Sequence, residues 1–162
     1  MYVGFGYDVH RFEPGRLLVL GGLQIPHERG LLGHSDADVL IHAIMDAILG
    51  AMGERDIGHQ FPNTDPRFAG ASSLALLAGV VAKMMAAGYR LRNVDSTVLA
   101  EEPKLSPYTG QMRENLAEVL GLPVQRVSIK ATTNEGMGFV GHREGIAAYA
   151  VVLLEEAARA QG

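Results

Sequence analysis

Residues 33–53, GHSDADVLIHAIMDAILGAMG, decide how the rest of the chain is read. Val39, Leu40, Ile41, Ala43, Ile44, Met45 and Ile48 leave little polar surface, so the spacing predicts a largely buried helix over Ser35 to Met52. Ser35 is its expected N-cap, with Asp38 three residues on as in a capping box, Asp36 and Asp38 at the positive end of the helix dipole, and Gly53 as the stop. Asp38, His42 and Asp46 form a stripe at four-residue spacing. Ionisable groups on a buried helix need compensation, and a metal ion supplies it. Gly33-His34-Ser35 also sets free backbone N–H groups at the expected helix start, where an anion such as phosphate is favoured.

Upstream, Tyr2 to Val9 and Leu17 to Leu20 are expected strands joined by a Phe12 to Arg16 loop. Downstream, Asp56 to Gly70 is a Pro-containing loop, and Ser72 to Ala87, apolar nearly all round, is a helix expected to be buried on most of its surface. Leu91 to Ala100 is a strand, and Pro107 to Leu120 is a surface helix ended by Gly121-Leu122-Pro123. Val127 to Ala131 and Gly145 to Leu154 are the last strands, and the final one is apolar on both alternating faces. The alternation implies an α/β (α+β) sandwich in which a mixed sheet carries helices on one face. Three helices cannot bury both faces, so the other face is expected to pack against further copies in a homo-oligomer. One domain is expected over 1–162, and the Ala-rich tail after Glu155 is at most a frayed helix.

The composition removes several functions. A net charge of −4 gives no footprint for nucleic acid. The absence of cysteine excludes thiolate catalysis and disulfides, so any strong metal site must use His and carboxylates. Met1 leads straight into strand-like sequence, and the apolar stretch around Leu74 to Tyr89 is broken by Lys83; a cytoplasmic protein without a membrane span is expected.

Asp8 and His10, two apart on the first strand, leave the same face and can converge on one ion. With His42 they make a two-histidine, one-carboxylate set with an open fourth position, the pattern of a catalytic zinc site. Asp46 is the expected partner that orients the His42 ring. The plain alternative is that Asp8 and His10 are strand-end polar residues and His42 a hydrogen-bonded core histidine. Lys130 to Phe139, a strand entering a Gly-rich turn with Thr132, Thr133 and Glu135, is a second place for a diphosphate, and Lys104 a third candidate. The Gly-x4-Gly-Lys pattern of a P-loop is missing. A metal-dependent phosphohydrolase and a non-catalytic nucleotide-binding module are the other function classes compatible with such features.

Taken in order, Tyr7-Asp8-Val9-His10, His34-Ser35-Asp36-Ala37-Asp38, Asp56-Ile57-Gly58, Phe61-Pro62-Asn63-Thr64-Asp65-Pro66, Asn93-Val94-Asp95, Pro103-Lys104 and Lys130-Ala131-Thr132-Thr133 resemble the 2-C-methyl-D-erythritol 2,4-cyclodiphosphate synthase family over Gly4 to Leu154. The resemblance implies a CMP-releasing lyase of the non-mevalonate isoprenoid pathway, with zinc on Asp8, His10 and His42 and phosphate contacts from His34 and Ser35. Asp56, Gly58, Phe61, Asn63 and Asp65 would surround the methylerythritol part of the substrate. Cytidine would lie against Ala100, Lys104, Leu105, Ala131, Thr132 and Thr133. Glu135 would hold magnesium or manganese between the diphosphate phosphates, and His34 and Thr133 would stabilise the transition state. The family is a homotrimer with sites between neighbouring subunits. Two positions depart from its pattern: Asn63 stands where Asp is expected, and His142 stands where an Arg associated with isoprenoid diphosphates in the trimer's central cavity is expected, near Phe139. Weak isoprenoid diphosphate binding is the consequence anticipated.

Overall fold

The computed structural model describes residues 1–62 and 64–157. Among the described residues seven strands are present: β1 (Tyr2–Pro14), β2 (Leu18–Leu20), β3 (Leu23–Ile25), β4 (Arg29–Leu31), β5 (Tyr89–Leu99), β6 (Val127–Thr132) and β7 (Gly145–Glu156). The helices are α1 (Val39–Ala51), α2 (Ile57–Gln60), α3 (Ser73–Ala86), α4 (Thr109–Leu120) and α5 (Gly138–Gly141). Five strands form one mixed sheet in the order β4-β1-β7-β5-β6, with β5 and β6 parallel and the other neighbours antiparallel. β2 and β3 form a separate hairpin whose turn, Gly21-Gly22, has φ of +56° and +69°, values that suit glycine.

The core lies between the sheet and the helices α1, α3 and α4. Ile146, Ala148, Ala150, Val152 and Leu154 of β7 are buried toward it, and so are Val94 and Val98 of β5. β1 turns Gly4, Gly6, Asp8 and His10 to the same side by the period of two. A Cβ at Gly4 would sit 1.8 Å from the Ala47 carbonyl oxygen and one at Gly6 1.9 Å from that of Ala43, so α1 lies on β1 backbone to backbone. That close approach, permitted only by the two glycines, brings His42 within reach of Asp8.

Several expectations change. α1 begins at Val39, and its N-cap is Asp38, whose side chain accepts from Ile41 N–H; Ser35 lies in the turn before it. Ala37, at φ +59°, takes a left-handed conformation that no helix can include, and this delays the start. β1 continues through the anticipated Phe12 to Arg16 loop as far as Pro14, because Phe12 to Pro14 pair with β4. The Asp56 to Gly70 segment contains α2 and a 3-10 turn at Pro66–Phe68. α3 is buried only along Ser73, Leu77, Val80, Val81 and Met84; Ala75, Ala78, Gly79 and Ala82 face outward. Of the expected tail after Glu155, residues 158–162 lie outside the described residues. No described helix is long and apolar enough to cross a membrane.

The last strand is apolar on both sides, but a single chain covers one. Val3, Phe5, Tyr7 and Val9 of β1 and Tyr149 and Val151 of β7 remain exposed on the open face of the sheet.

Candidate metal centre and nucleotide pocket

Asp8 Oδ2 lies 2.9 Å from His10 Nε2 and 3.0 Å from His42 Nδ1, and the two nitrogens are 3.1 Å apart. Among the described residues this is the one group of three or more His or carboxylate side chains placed to share an ion. The chemistry of the donors fits a cation. His10 Nδ1 is 2.7 Å from the Leu32 carbonyl, which can only accept, so Nδ1 carries a proton and Nε2 is the nitrogen that can give its lone pair to a cation in the triangle. His42 places Nδ1 in the triangle and Nε2 near the hydroxyls of Ser73 (3.1 Å) and Ser35 (3.2 Å). Tetrahedral zinc with bonds of about 2.0–2.1 Å sets its ligand atoms about 3.3 Å apart, so a slight widening of this triangle admits it. Burial pushes the Asp8 carboxyl up, but hydrogen bonds and charge from His10 and His42 outweigh it and hold the group at about 2. It is a carboxylate at any physiological pH.

The triangle opens on a cavity of about 220 Å³ lined also by Gly33, His34, Ser35, Met45, Gly58 and Phe61. Ser35 is buried; its Oγ accepts from Ala37 N–H, and its backbone carbonyl accepts from Arg16 Nη2 at 2.9 Å. The His34 ring reaches the Asp65 carbonyl at 3.3 Å. The expected anion seat at the helix start is absent, because Asp38 itself occupies that end, accepting from Ile41 N–H and from Gly22 N–H at 2.8 Å. His34 and Ser35 line the cavity from the turn before α1 instead of opening the helix. Asp46 does not orient His42; its carboxylate accepts from Ile57 N–H at 2.8 Å and fixes α2. Asp56 caps α2 by accepting from His59 N–H, and Asp65 caps the 3-10 turn and pairs with Arg67 at 2.6 Å. Phe61 packs edge-on against Phe68. Asn63 lies outside the described residues.

A second cavity of about 380 Å³ is lined by Ala100, Lys104, Leu105, Ala131, Thr132 and Thr133, with Glu101, Pro103 and Ser106. It collects every residue singled out for cytidine. The register Val9, Ala147, Leu99, Thr132 runs straight across β1, β7, β5 and β6. Three strand spacings, about 14 Å, thus separate the metal end from Thr132. The two cavities share no lining residue, so His34 and Thr133 do not meet within one chain. Glu135, at φ +53°, stands in the exposed turn beyond β6, where its carboxylate accepts from the Thr133 hydroxyl at 3.3 Å. Lys130 pairs with Asp95 at 2.7 Å.

Sequence reasoning missed Glu101, Ser73 and Asp36. Glu101 Oε1 accepts from Asn134 N–H (2.8 Å) and Gly136 N–H (3.3 Å), tying the loop after β5 to the turn after β6. Its neighbour Glu102 accepts from Arg29 Nη2 at 2.6 Å and lies 3.6 Å from Arg143. A third cavity, about 330 Å³, borders Tyr7, Val9, Phe139 and Glu144 on the open face of the sheet. His142 is exposed, 3.8 Å from Glu144.

The model of the YgbB family matches residues 1–155. A 2-C-methyl-D-erythritol 2,4-cyclodiphosphate synthase of Symbiobacterium thermophilum is 64% identical over 154 residues, 95% of this chain and 98% of its own. That of Syntrophomonas wolfei is 57% identical over 157 residues, 97% of this chain and 100% of its own. Among solved structures, the bifunctional IspDF from Campylobacter jejuni superposes with a TM-score of 0.92 at 44% identity, covering 96% of this chain and 42% of that longer one. A CDP complex of IspF from Plasmodium falciparum superposes with a TM-score of 0.84 at 33% identity, covering 96% of each chain.

Proposed function

The chain belongs to the YgbB family and acts as a 2-C-methyl-D-erythritol 2,4-cyclodiphosphate synthase of the isoprenoid pathway; we propose that one domain over 1–162 closes 4-diphosphocytidyl-2-C-methyl-D-erythritol 2-phosphate into the cyclic product, as a phosphorus–oxygen lyase. The observation that carries the reading is the convergence of Asp8 Oδ2, His10 Nε2 and His42 Nδ1 in one cavity with Ser35 and His34.

The 2-phosphate oxygen bonds to the β-phosphorus as the bond from that phosphorus to the bridging oxygen breaks, and CMP departs with the bridging oxygen. The attacking oxygen already carries negative charge, so no side-chain base is needed, and the protein must align the two phosphates in line and balance their charge. Asp8, His10 and His42 would hold zinc, which would supply Lewis acidity, and Glu135 would hold magnesium or manganese, which would supply charge neutralisation. A single protein carboxylate such as Glu135 would suit magnesium. Ser35 Oγ accepts from Ala37 N–H and faces His42 Nε2, which leaves its own proton free for a phosphate oxygen. His34 lines the same cavity and, with its ring turned to the Asp65 carbonyl, can offer its backbone N–H, and Thr133 serves the same role from the nucleotide side.

Gly58 and Phe61 line the metal cavity, which supports a methylerythritol seat there with Asp56, Asn63 and Asp65 around it. Cytidine takes the pocket of Ala100, Lys104, Leu105 and Ala131 to Thr133. About 14 Å between the two ends within one chain, and an exposed apolar sheet face on Phe5, Tyr7, Tyr149 and Val151, support a homotrimer whose sites lie between neighbours. Arg143, engaged by Glu102, does not replace the expected Arg at 142, so isoprenoid diphosphates bind the Phe139 and His142 region weakly; tight 1:3 binding of geranyl diphosphate in calorimetry would refute this. We place the enzyme in the cytoplasm, without nucleic-acid or membrane partners.

The direct test is release of CMP together with the cyclic diphosphate by purified protein with magnesium, lost on chelation and restored by zinc. Inorganic phosphate released without CMP would indicate a phosphohydrolase instead.

A further inference from the structure

We propose that Asp36 and Ser73 are positioning residues that set the proton of the His42 ring and thereby hold Nδ1 ready for the metal. The inference rests on the reading that Asp8, His10 and His42 bind zinc. Ser73 opens α3, is fully buried, and puts its Oγ 3.1 Å from His42 Nε2. Its hydroxyl donates to Asp36 Oδ1, and its backbone N–H donates to Asp36 Oδ2 at 2.9 Å. A carboxylate can only accept, so the single proton of Ser73 is committed to Asp36. The oxygen then presents only lone pairs to His42, and Nε2 has to carry the imidazole proton. Nδ1, beside Asp8 and His10, is then the nitrogen whose lone pair a cation can take, which is the tautomer metal binding requires.

Without the Asp36 charge the chain loses its direction. Ser73 could then rotate and donate to Nε2, which would drive the ring proton onto Nδ1 and into the space of the metal. Ser35 Oγ, 3.2 Å from the same Nε2, is a second acceptor for it, so loss of Ser73 weakens the centre without abolishing it. The two serines divide the work. Ser73 spends its proton on Asp36, and Ser35 keeps its own for substrate. Asp36 also accepts from Asp38 N–H at 3.2 Å, and its backbone N–H donates to the Ala71 carbonyl at 3.1 Å, so the turn before α1 and the start of α3 are locked at this point. A purely structural role would use the same contacts, and the experiment has to separate the two.

Zinc affinity is measured on the full-length protein by competition with a chromophoric chelator, for wild type, Ser73→Ala, Asp36→Asn and the double variant. Thermal unfolding of each metal-free form and the ligand-field spectrum of each cobalt-loaded form are recorded in parallel. Each single variant is expected to weaken zinc roughly tenfold to a hundredfold. The double variant is expected to be no weaker than the weaker single one, because Asp36 acts through Ser73. Wild-type zinc affinity in folded Ser73→Ala or Asp36→Asn, or losses that multiply in the double variant, would overturn the proposal. Should Ser73→Ala fail to fold, Asp36→Asn, whose carbonyl oxygen keeps the Ser73 N–H bond while its amide turns a donor toward the Ser73 hydroxyl, decides alone. A wild-type protein that binds no zinc would overturn the metal reading and this inference together, an outcome distinct from zinc bound equally by all four proteins.

Discussion

At the β1 end of the sheet, the donors of the candidate metal triangle are side chains packed between a strand and a helix, whereas about 14 Å away the candidate nucleotide pocket is formed by the end of β6 and loops pinned by two consecutive carboxylates. His42 is buried on α1, and α1 rests on Gly4 and Gly6 with no side chain between. Lys104, Thr132 and Thr133 are exposed, and their loops are tied by Glu101 to the turn after β6 and by Glu102 to Arg29. The metal end is thus preorganised by the core, and damage to it spreads into stability. The nucleotide end is held by polar ties near solvent, where a lost hydrogen bond costs less, so damage there should be confined to binding.

The largest effect is expected at the metal. His42→Ala should lose zinc and turnover together, measured by metal analysis and CMP release on the same preparation; activity in a zinc-free variant would break the account of this end. Gly6→Ala comes next. Its Cβ would meet the Ala43 carbonyl at 1.9 Å and the Ala47 nitrogen at 2.8 Å, both backbone atoms that cannot swing aside. A cost of about 3 kcal/mol or more is expected from such overpacking, read by urea unfolding, with zinc lost as α1 lifts from β1. A near-neutral result would mean that the helix does not set the position of His42.

Asp38→Ala should cost about 2 kcal/mol, through the lost cap of α1 and an unpaired Gly22 N–H. Burial pushes the Asp38 carboxyl up to about 6, against the two N–H groups that lower it. The folded protein therefore holds this proton more tightly than the unfolded chain does. The contribution favours folding fully below the ordinary 3.8 and is lost as pH rises through about 6. The stability advantage of wild type over Asp38→Ala should shrink across that window, and a constant difference in urea unfolding at its two ends would contradict the assignment. The smallest effect is expected at Glu101→Ala. It frees Asn134 N–H and Gly136 N–H near solvent, so CDP should bind about tenfold more weakly, by about 1.4 kcal/mol, with zinc content unchanged. A loss of zinc in that variant would erase the contrast between the two ends.

Much of this was legible in residues alone, for reasons that also mark where reading stops. Asp8 and His10 share a face by the period of two, and His42 sits on an unmistakably apolar helix, so the triangle could be anticipated. Gly121, at φ +65°, ends α4 where the sequence places the stop. The start of α1 was not legible. Ser35, Asp36 and Asp38 are all capping residue types, and the choice among them depends on the left-handed turn at Ala37. β3 and β4 have three residues each, too few for any period to show. Asp46 was the expected partner of His42 by helical spacing, yet the ring is served from α3 by Ser73, 31 residues away. No spacing rule reaches across that gap. Ser72-Ser73 reads only as a helix start, and Ser72 makes no side-chain cap there.

The most direct test of the central claim is anomalous diffraction at the zinc absorption edge from crystals of zinc-loaded protein. The account predicts one peak per chain, bonded to Asp8 Oδ2, His10 Nε2 and His42 Nδ1, with its fourth position open toward Ser35 and His34. A peak elsewhere, or none in catalytically active crystals, would contradict it.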